Sequence, residues 1–244
     1  MFEKIDKKKK LLDSKRPFLK TTIDTLKKYY DVELTYNSNA IEGNTLTRIQ
    51  TKLILEDGIT IGKGKSLKEH LEVINHKEAI DYIEDIVSKD IDISENVIKN
   101  LHYIILKSIN NENAGIYRSV NVLISGSKHR PPEHFLVEDQ MRELISWYNE
   151  NKTKLHPVEL AAVFHHKYTY IHPFIDGNGR SARLLTNLIL MRSGYPICVI
   201  RMEDRDEYMN ALEKASVNDD YTNFIEIIEK AVYSSLDMYL YIVG

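Results

Sequence analysis

Apolar residues at helical spacing recur along almost the whole chain, and this pattern limits the possible folds more than any other feature. After Pro17, apolar and aromatic side chains fall three or four positions apart, as they do on the buried face of a helix. Runs of this kind cover residues 17–30, 67–86, 94–109, 137–148, 157–168, 184–191, 204–216 and 220–240. We therefore predict an all-α fold.

One segment departs from the helical pattern. Residues 121–126 form a short, β-branched run, and the turn-rich piece after them ends in Pro131 and Pro132. We call residues 121–132 the flap. The composition predicts a small β-hairpin there.

Two predictions concern the N-terminal region. We interpret the lysines at positions 7–10 as part of a frayed, solvated terminus rather than a nucleic-acid-binding tail. Residues 34–44 are typical of a short helix that Gly43 ends in a left-handed conformation. Ser38 and Glu42 are four positions apart, so this helix would carry them on one face.

The bulk composition excludes several classes of protein. The 244 residues carry a formal net charge of -3, whereas proteins that coat nucleic acids are normally strongly basic. Cys198 is the single cysteine, which excludes an intramolecular disulfide and a multi-thiolate zinc site. No apolar run approaches the roughly 20 residues that span a bilayer. We expect a cytoplasmic protein that binds neither nucleic acid nor membranes.

Residues 170–183 contain most of the chemically active side chains. Gly177 to Gly179 suit a turn whose backbone N–H groups point into one concavity, where an anion can bind. A helix that begins near Gly179 or Arg180 would direct its first amides at the same point. Arg180 and Arg183 lie three positions apart on that helix, so both can reach phosphate oxygens. A di- or triphosphate would fit this site.

Asp176 and His172 complete the chemistry of the stretch. A carboxylate beside an anion-binding turn repels phosphate unless a cation lies between them. Mg²⁺ takes hard oxygen ligands, typically one or two carboxylates plus phosphate oxygens, which favours a magnesium ion held by Asp176. A histidine such as His172 can accept a proton from an attacking hydroxyl near neutral pH. We expect Phe174 to point into the core and fix the loop.

Each of these residues also has a purely structural explanation. His172 could cap a helix, Asp176 and Gly177 could form a turn, and the arginines could lie on a solvated helix face. Their occurrence together in this order favours the phosphate site. His165 and His166 could ligate a transition metal with His172 and Asp176, but the His-x-x-x-His spacing is absent and the Gly-Asn-Gly-Arg run would stay unexplained.

The loop at residues 58–66 matches a phosphate-binding loop only in part. The pattern GxxxxGK[ST], if it ends at Ser66, requires glycine where the chain has Ile59, and no buried strand precedes the loop. Ser66 and Glu69 instead fit a capping box that begins the next helix. Thr47 is expected to cap the helix before it.

Residues 172–183 resemble, without a gap, the signature HPFx[DE]GNGRxxR of the Fic (filamentation induced by cAMP) family. Residues 114–124 are similar to the family's approach to its target-positioning flap, and residues 155–159 to the start of the helix before the signature. The resemblance covers roughly residues 66–215. It implies a Fic-type helical bundle that transfers AMP from ATP to a Ser, Thr or Tyr hydroxyl of a target protein and releases pyrophosphate.

The resemblance also implies a role for each residue of the signature. His172 would be the catalytic base and Asp176 the ligand of Mg²⁺, with ATP as co-substrate. The nucleotide would be bound by Gly177, Asn178, Gly179, Arg180 and Arg183, with Tyr208 and Leu212 as candidates for the adenine pocket. The flap would clamp the target backbone as an added strand through Ile124, Ser125, Gly126 and Ser127. Ser216 stands where many relatives carry asparagine near the adenine, so the base selectivity is not fixed by the sequence.

Ser38, Glu42 and Gly43 match a second family pattern, the inhibitory motif [ST]xxxE[GN]. The match implies that an N-terminal helix lies against the ATP site and that Glu42 pairs with Arg183, so that the γ-phosphate cannot bind productively. Such a pair can act as a switch, because only one anion can occupy the guanidinium.

We therefore predict three parts: an N-terminal helical segment with the inhibitory motif (1–65), a Fic-like catalytic core (66–215) and a C-terminal helix packed on the core (216–244). The leading hypothesis is an autoinhibited protein adenylyltransferase. A hydrolase that removes AMP with the help of Glu42 and a nucleotide-sensing binding module without turnover remain alternatives. The target protein is unknown, and self-modification and homodimer formation are left open.

Overall fold

Ten α-helices make up most of the part of the chain that the structure describes. The computed structural model describes residues 2–62 and 64–244. The helices are α1 (Glu3–Asp13), α2 (Lys20–Ile41), α3 (Arg48–Asp57), α4 (Leu67–Ser88), α5 (Glu95–Leu106), α6 (Val137–Asn151), α7 (Pro157–Ile171), α8 (Asn178–Arg192), α9 (Arg205–Asn218) and α10 (Thr222–Val243). Short 3₁₀ turns, His134–Leu136 and Met202–Asp204, precede α6 and α9. No strand occurs in the described residues, and the all-α prediction is confirmed.

α8 forms the centre of the molecule. Every residue from Arg180 to Leu190 is buried, and α2, α4, α5 and α7 surround the helix. A helix that is buried on all sides is apolar on most of its surface, and any charge it carries needs hydrogen-bond or ionic partners. Arg180 and Arg183 are the charged residues in this buried stretch, so their partners define the interior polar site.

Polar caps begin several helices where the sequence predicts them. Thr47 and Gln50 form a capping box at the start of α3, and Ser66 and Glu69 form another at the start of α4. The loop before Ser66 therefore leads into a capped helix. Lys63, which belongs to that loop, lies outside the described residues.

Residues 3–13 form an ordered helix, so the prediction of a frayed terminus is wrong, although Lys7 and Lys10 are exposed to solvent. Ile5 and Leu12 of α1 are 0% exposed and pack in the main core, where α1 lies against α10. These residues are seven positions apart and share one helix face. Lys8 forms an ion pair with Asp237 of α10. The apolar stripe of α1 is narrow and lies between lysines in the sequence, so the helical spacing was not recognised.

α2 is one continuous helix of 22 residues, so the prediction of a separate short helix at 34–44 is wrong. The helix ends as predicted, because Gly43 adopts a left-handed conformation with φ 96°. Its last turns contain polar residues that are nevertheless buried, namely Asn37, Ser38 and Asn39. These residues interrupt the apolar spacing from which the helix could have been predicted. Ser38 and Glu42 therefore extend from the rigid end of a long helix.

The flap contains no β-hairpin, so this part of the prediction is wrong. Its tip is a tight turn in which the Ser127 N–H donates to the Ile124 carbonyl at 3.2 Å and Gly126 has φ 80°, as a type II turn requires. A hairpin needs two strands that exchange backbone hydrogen bonds, and Pro131 and Pro132 have no N–H to donate. Side chains hold the flap instead.

α1, α2 and α10 pack directly onto the rest of the bundle, with α1 on α10, α10 on α7 and α2 on α8. The division of the chain at residues 65 and 215 therefore stays a prediction. Within the part of the chain that the structure describes, no helix is long and apolar enough to cross a membrane.

Candidate active site

The loop between α7 and α8 positions His172. His172 ends α7 with φ 50°, a left-handed conformation that non-glycine residues rarely adopt. Gly177 precedes α8 with φ 78°, and the helix begins at Asn178, slightly earlier than predicted. The chain therefore turns back on itself, so that α8 packs along α7 and Gly179 in its first turn lines the same cavity as His172.

The Asn178 side chain fixes this loop from within. Its Oδ1 accepts the Phe174 N–H at 3.0 Å, and its Nδ2 donates to the Phe174 carbonyl at 2.8 Å. Phe174 is 0% exposed, as predicted, and stacks on His102 with ring centres 3.5 Å apart. The Asn178 side chain thus supports the loop, while its backbone N–H remains at the start of α8.

His102 of α5 is a supporting residue that the sequence analysis missed. Its Nδ1 accepts the Gly115 N–H at 2.9 Å, so its Nε2 carries the proton and donates to the Asp176 carbonyl at 2.8 Å. Burial lowers the pKa of His102 to about 4, which keeps the ring neutral. A Cβ on Gly115 would lie 2.9 Å from the Lys99 carbonyl oxygen, so this contact requires glycine.

Arg118 is a second residue whose position the sequence did not reveal. Although it is 3% exposed, its guanidinium donates only to backbone carbonyls: His172 at 2.9 Å, Val120 at 3.0 Å, Ile171 at 3.4 Å, and Pro132. Its positive charge lies at the C-terminus of α7, where the helix dipole is negative. One buried side chain therefore joins the backbone of His172 to both ends of the flap.

His172 is a neutral imidazole at physiological pH. Burial disfavours its charged form and lowers its pKa to about 4. The side chain lines the same cavity as Glu42 and Gly179. A neutral ring in this position can accept a proton from a hydroxyl that enters the cavity.

Asp176 is the more exposed carboxylate of the loop, with 46% of its side chain accessible. Its Oδ1 accepts the Gly177 N–H at 2.6 Å and lies 3.2 Å from Nη2 of Arg180. Burial alone would raise the pKa of Asp176, but Arg180 and the Gly177 amide outweigh this and lower it. Arg180 also lies 3.5 Å from Glu72 Oε1. Asp176 is thus an ionised, partly exposed carboxylate at the mouth of the loop.

Arg183 is the point where α2 meets α8. Its Nε donates to Ser38 Oγ at 3.0 Å, and its Nη2 donates to the Ser38 carbonyl at 2.8 Å and to Glu42 Oε1 at 2.7 Å. Burial alone would lower the pKa of Arg183, but Glu42 and Tyr208 raise it above its ordinary value. The structure contains the ion pair that the inhibitory motif implies.

Glu42 lies directly on the first turn of α8. A Cβ on Gly179 would be 2.2 Å from Glu42 Oε1, so only glycine permits this approach. The N-terminal amides of a helix favour a negative charge. Glu42 therefore occupies the region where α8 would otherwise meet an anionic ligand.

The other histidines of α7 have structural partners. His165 is bonded at Nδ1 to Thr186 Oγ1 (2.8 Å) and at Nε2 to Tyr208 Oη (2.9 Å), and His166 Nε2 is bonded to Ser216 Oγ (3.0 Å). Within residues 2–62 and 64–244, no group of three or more His, Cys, Asp or Glu side chains is arranged to hold a metal ion. The geometry gives no support to the transition-metal alternative.

A cavity of about 450 Å³ lies beside His172 and the first turn of α8 and is large enough for a nucleotide. Glu42, His172 and Gly179 line it together with the tip of the flap, Ile124–Ser127, and with one face of α9 that includes Tyr208, Leu212, Glu213 and Ser216. A second cavity of about 650 Å³ lies between α6, α7 and the turn after α9, but no residue of the signature lines it. Of the predicted site residues, Glu42, Ile124–Ser127, His172, Gly179, Tyr208 and Leu212 line this smaller cavity. Seven others are not among the residues that line it: Ser38, Gly43, Asp176, Gly177, Asn178, Arg180 and Arg183.

Comparisons with known proteins agree with this arrangement. The model of the Fic/DOC family matches residues 92–190. The crystal structure of a Fic domain containing signaling protein from Bacteroides thetaiotaomicron is 32% identical, with 99% of this chain and 97% of that chain covered and a TM-score of 0.91. The chain belongs to the Fic/DOC family.

Two further relatives of this Fic/DOC family member come from animals. Protein adenylyltransferase Fic of Nematostella vectensis is 38% identical over 242 residues, which cover 98% of this chain and 56% of that protein. The structure of Fic-1 (aa134 - 508) from Caenorhabditis elegans is 33% identical, with 98% of this chain and 71% of that chain covered and a TM-score of 0.87. The chain spans about half the length of the curated relatives that it matches.

Proposed function

We propose that this Fic protein is an autoinhibited protein adenylyltransferase, which transfers AMP from ATP to a Ser, Thr or Tyr hydroxyl of a target protein. The observation that carries the proposal is that His172 and Gly179, in the first turn of α8, line one nucleotide-sized cavity together with Glu42, which pairs with Arg183. The relatives named protein adenylyltransferase support the same reaction.

The proposed reaction is an in-line displacement at the α-phosphorus of ATP. The hydroxyl oxygen of the target forms a bond to the α-phosphorus, and the bond from that phosphorus to the bridging oxygen of pyrophosphate breaks. His172 accepts the hydroxyl proton at its imidazole, which is unprotonated because burial lowers its pKa to about 4. Positioning and charge stabilisation then supply most of the rate enhancement.

The phosphates would bind at the start of α8. Gly177, with φ 78°, turns the backbone so that the amides of Asn178 and Gly179 face the ligand, and the helix dipole favours negative charge there. Arg180 and Arg183 add guanidinium groups that can bind phosphate oxygens in bidentate fashion. Both arginines are already buried, so little side-chain freedom is lost when the nucleotide binds.

The environment of Asp176 fits a magnesium ion. Hydrogen bonds occupy its Oδ1, whereas Oδ2 accepts none from the described residues, and the side chain is 46% exposed. Mg²⁺ is commonly held by one carboxylate together with phosphate oxygens. When bound, the ion would neutralise charge that develops on the leaving pyrophosphate.

Glu42 would act as the inhibitor. Its carboxylate pairs with Arg183 and rests on Gly179, where a γ-phosphate would otherwise find its partners. The two anions compete for one guanidinium, so ATP binds in a non-productive arrangement until α2 moves. Homodimer formation and a cytoplasmic location stay predictions, and the sequence does not identify the trigger that would move α2.

Labelled ATP tests the proposed function directly. With ATP labelled at the α-phosphate, we expect weak self-labelling of the wild-type protein, at least tenfold more with Glu42→Gly, and none with Glu42→Gly combined with His172→Ala. ATP labelled at the γ-phosphate should transfer no label. Glu203→Gly, which removes an exposed carboxylate near the end of α2, is the matched control and should behave as wild type.

The alternatives give different results in the same assay. A hydrolase that removes AMP would lose activity on a pre-modified protein when Glu42 is replaced by glycine. A nucleotide-sensing module would bind ATP without transferring label in any variant. Unchanged labelling after Glu42→Gly would contradict the inhibitory role, and mass spectrometry of lysate proteins that gain AMP with this variant would identify the target.

A further inference from the structure

The flap is attached to the bundle at its two ends. The Arg118 guanidinium donates to the carbonyl of Val120, just before the flap, and to that of Pro132 at its end. Asn121 Oδ1 accepts the His134 N–H at 2.8 Å, and this bond also holds the two ends of the flap together. These contacts fix where the flap begins and ends, but they do not reach its tip.

The middle of the flap makes few contacts of its own. In the described residues, the backbone groups of residues 122–126 form no hydrogen bond except the one that closes the turn at Ile124–Ser127. Leu123 is 82% exposed. A loop of this kind opens easily unless its tip is held, because loop backbone that is exposed and unpaired has low local stability.

One carboxylate holds the tip. Glu213 of α9 accepts the Ser127 hydroxyl at Oε2 and the Lys128 N–H at Oε1, the latter at 2.8 Å. Its pKa is lowered, first by the hydrogen bond from Ser127, so the group is ionised at neutral pH and its hydrogen bonds are charge-assisted. Among residues 2–62 and 64–244, one other hydrogen bond ties the flap to the bundle near the tip, from His129 to the Tyr170 carbonyl at 2.8 Å.

Glu213 lies on the helix that forms the opposite wall of the cavity. Leu212 and Ser216 of α9 line the cavity, and the flap tip lines it from the other side. The carboxylate therefore joins the two walls directly and sets the distance between them. A nucleotide in the cavity would lie beneath this connection.

We propose that Glu213 is a positioning residue that latches the flap tip onto α9 and so closes the nucleotide cavity for transfer. The inference rests on the proposed function. The latch acts on the flap and not on the reacting atoms. Its loss should therefore weaken the binding of ATP more than it slows the chemical step.

Limited proteolysis tests the latch without any reference to catalysis. Trypsin can cut the flap after Lys128, whereas Pro131 blocks cleavage after Arg130. We expect Glu213→Ala to accelerate cleavage at Lys128 by about fivefold to tenfold, because the substitution removes a charged hydrogen-bond acceptor at a half-exposed site. Glu213→Gln should give a smaller increase. Glu207→Ala, an exposed acidic residue on the same helix, is the control and should not change the rate.

Transfer kinetics test the positioning role. In the Glu42→Gly background, with ATP labelled at the α-phosphate, Glu213→Ala should raise KM for ATP about fivefold and change kcat less than twofold. Unchanged tryptic cleavage would overturn the latch, and faster cleavage with an unchanged KM would overturn the positioning role. If Glu42→Gly transfers no label at all, the proposed function has failed, and the tryptic result still decides whether the latch exists.

Discussion

At the scale of single residues, the site depends on charge states that are set by burial and by neighbouring groups. His172 is kept neutral, because burial and, to a smaller extent, the nearby Arg118 charge oppose its protonation. Arg183 is kept charged because Glu42 and Tyr208 lie beside it. The site therefore contains an unprotonated imidazole, His172, and a charged guanidinium, Arg183, and the proposed transfer to a hydroxyl requires both states.

The pH dependence of transfer should report the pKa of His172. In the Glu42→Gly variant we expect the single-turnover rate to change less than about twofold between pH 8 and pH 5.5, because His172 gains its proton only near pH 4. A histidine with the ordinary pKa of about 6.5 would lose roughly tenfold at pH 5.5. The measurement is label transfer at saturating ATP across this range, and an acid limb centred near pH 6.5 would contradict the assignment.

At the scale of helices, the end of α2 is bound to the segment that leads into α9. Arg201 pairs with the buried Glu33 at 2.6 Å, the Met202 N–H donates to Asn37 Oδ1 at 2.9 Å, and Arg205 Nε donates to the Ile41 carbonyl at 2.9 Å. These three contacts hold the last turns of α2, and with them Glu42, against the site. If Glu42 acts as the proposed inhibitor, its release from the site would have to weaken them.

Loosening this attachment should raise activity even though Glu42 is intact. We expect Arg201→Gln to increase self-labelling about threefold to fivefold, because a partly exposed ion pair is worth about 1 kcal/mol. The increase should be smaller than that of Glu42→Gly, because the two other contacts remain. Hydrogen exchange of the last turns of α2 should rise in parallel. Arg192→Gln, which breaks exposed ion pairs with Asp90 and Asp92 elsewhere, is the control. Faster exchange without a gain in labelling would contradict the link.

At the scale of the whole molecule, the sequence predicted the helical fold, the loop from His172 to Arg183 and the pairing of Glu42 with Arg183. Periodicity, caps and a long motif are local signals, so they can be read without knowledge of the packing. Other features depend on contacts between distant segments. They are the single buried side of α1, the flap without a hairpin, and the positions of His102, Arg118 and Glu213. No local pattern marked them, and the structure was needed to find them.

Buried histidines should make the whole protein sensitive to acid. Burial lowers the pKa of five of them: His76, His102, His165, His166 and His172. Their unfolded pKa is about 6.5, so between pH 6.5 and 4 the unfolded chain binds protons that the folded chain does not. The stability that the neutral, buried rings contribute is fully present above pH 6.5, and it is lost as the pH falls toward 4. Asp31 acts in the opposite direction, because burial raises its pKa to about 6, but it is one group against five.

We therefore expect the free energy of unfolding to fall by several kcal/mol between pH 7 and pH 5, at about 1–2 kcal/mol for each histidine with such a shift. Denaturant titrations at pH 7, 6 and 5 would measure this slope. His76→Gln should reduce proton uptake on unfolding at pH 5 by about one proton, whatever its effect on stability at pH 7, because one of the titrating rings is gone. His134→Gln, at an exposed position, should leave the slope unchanged. A stability independent of pH in this range would show that the rings take up their protons at the same pH in the folded and the unfolded protein.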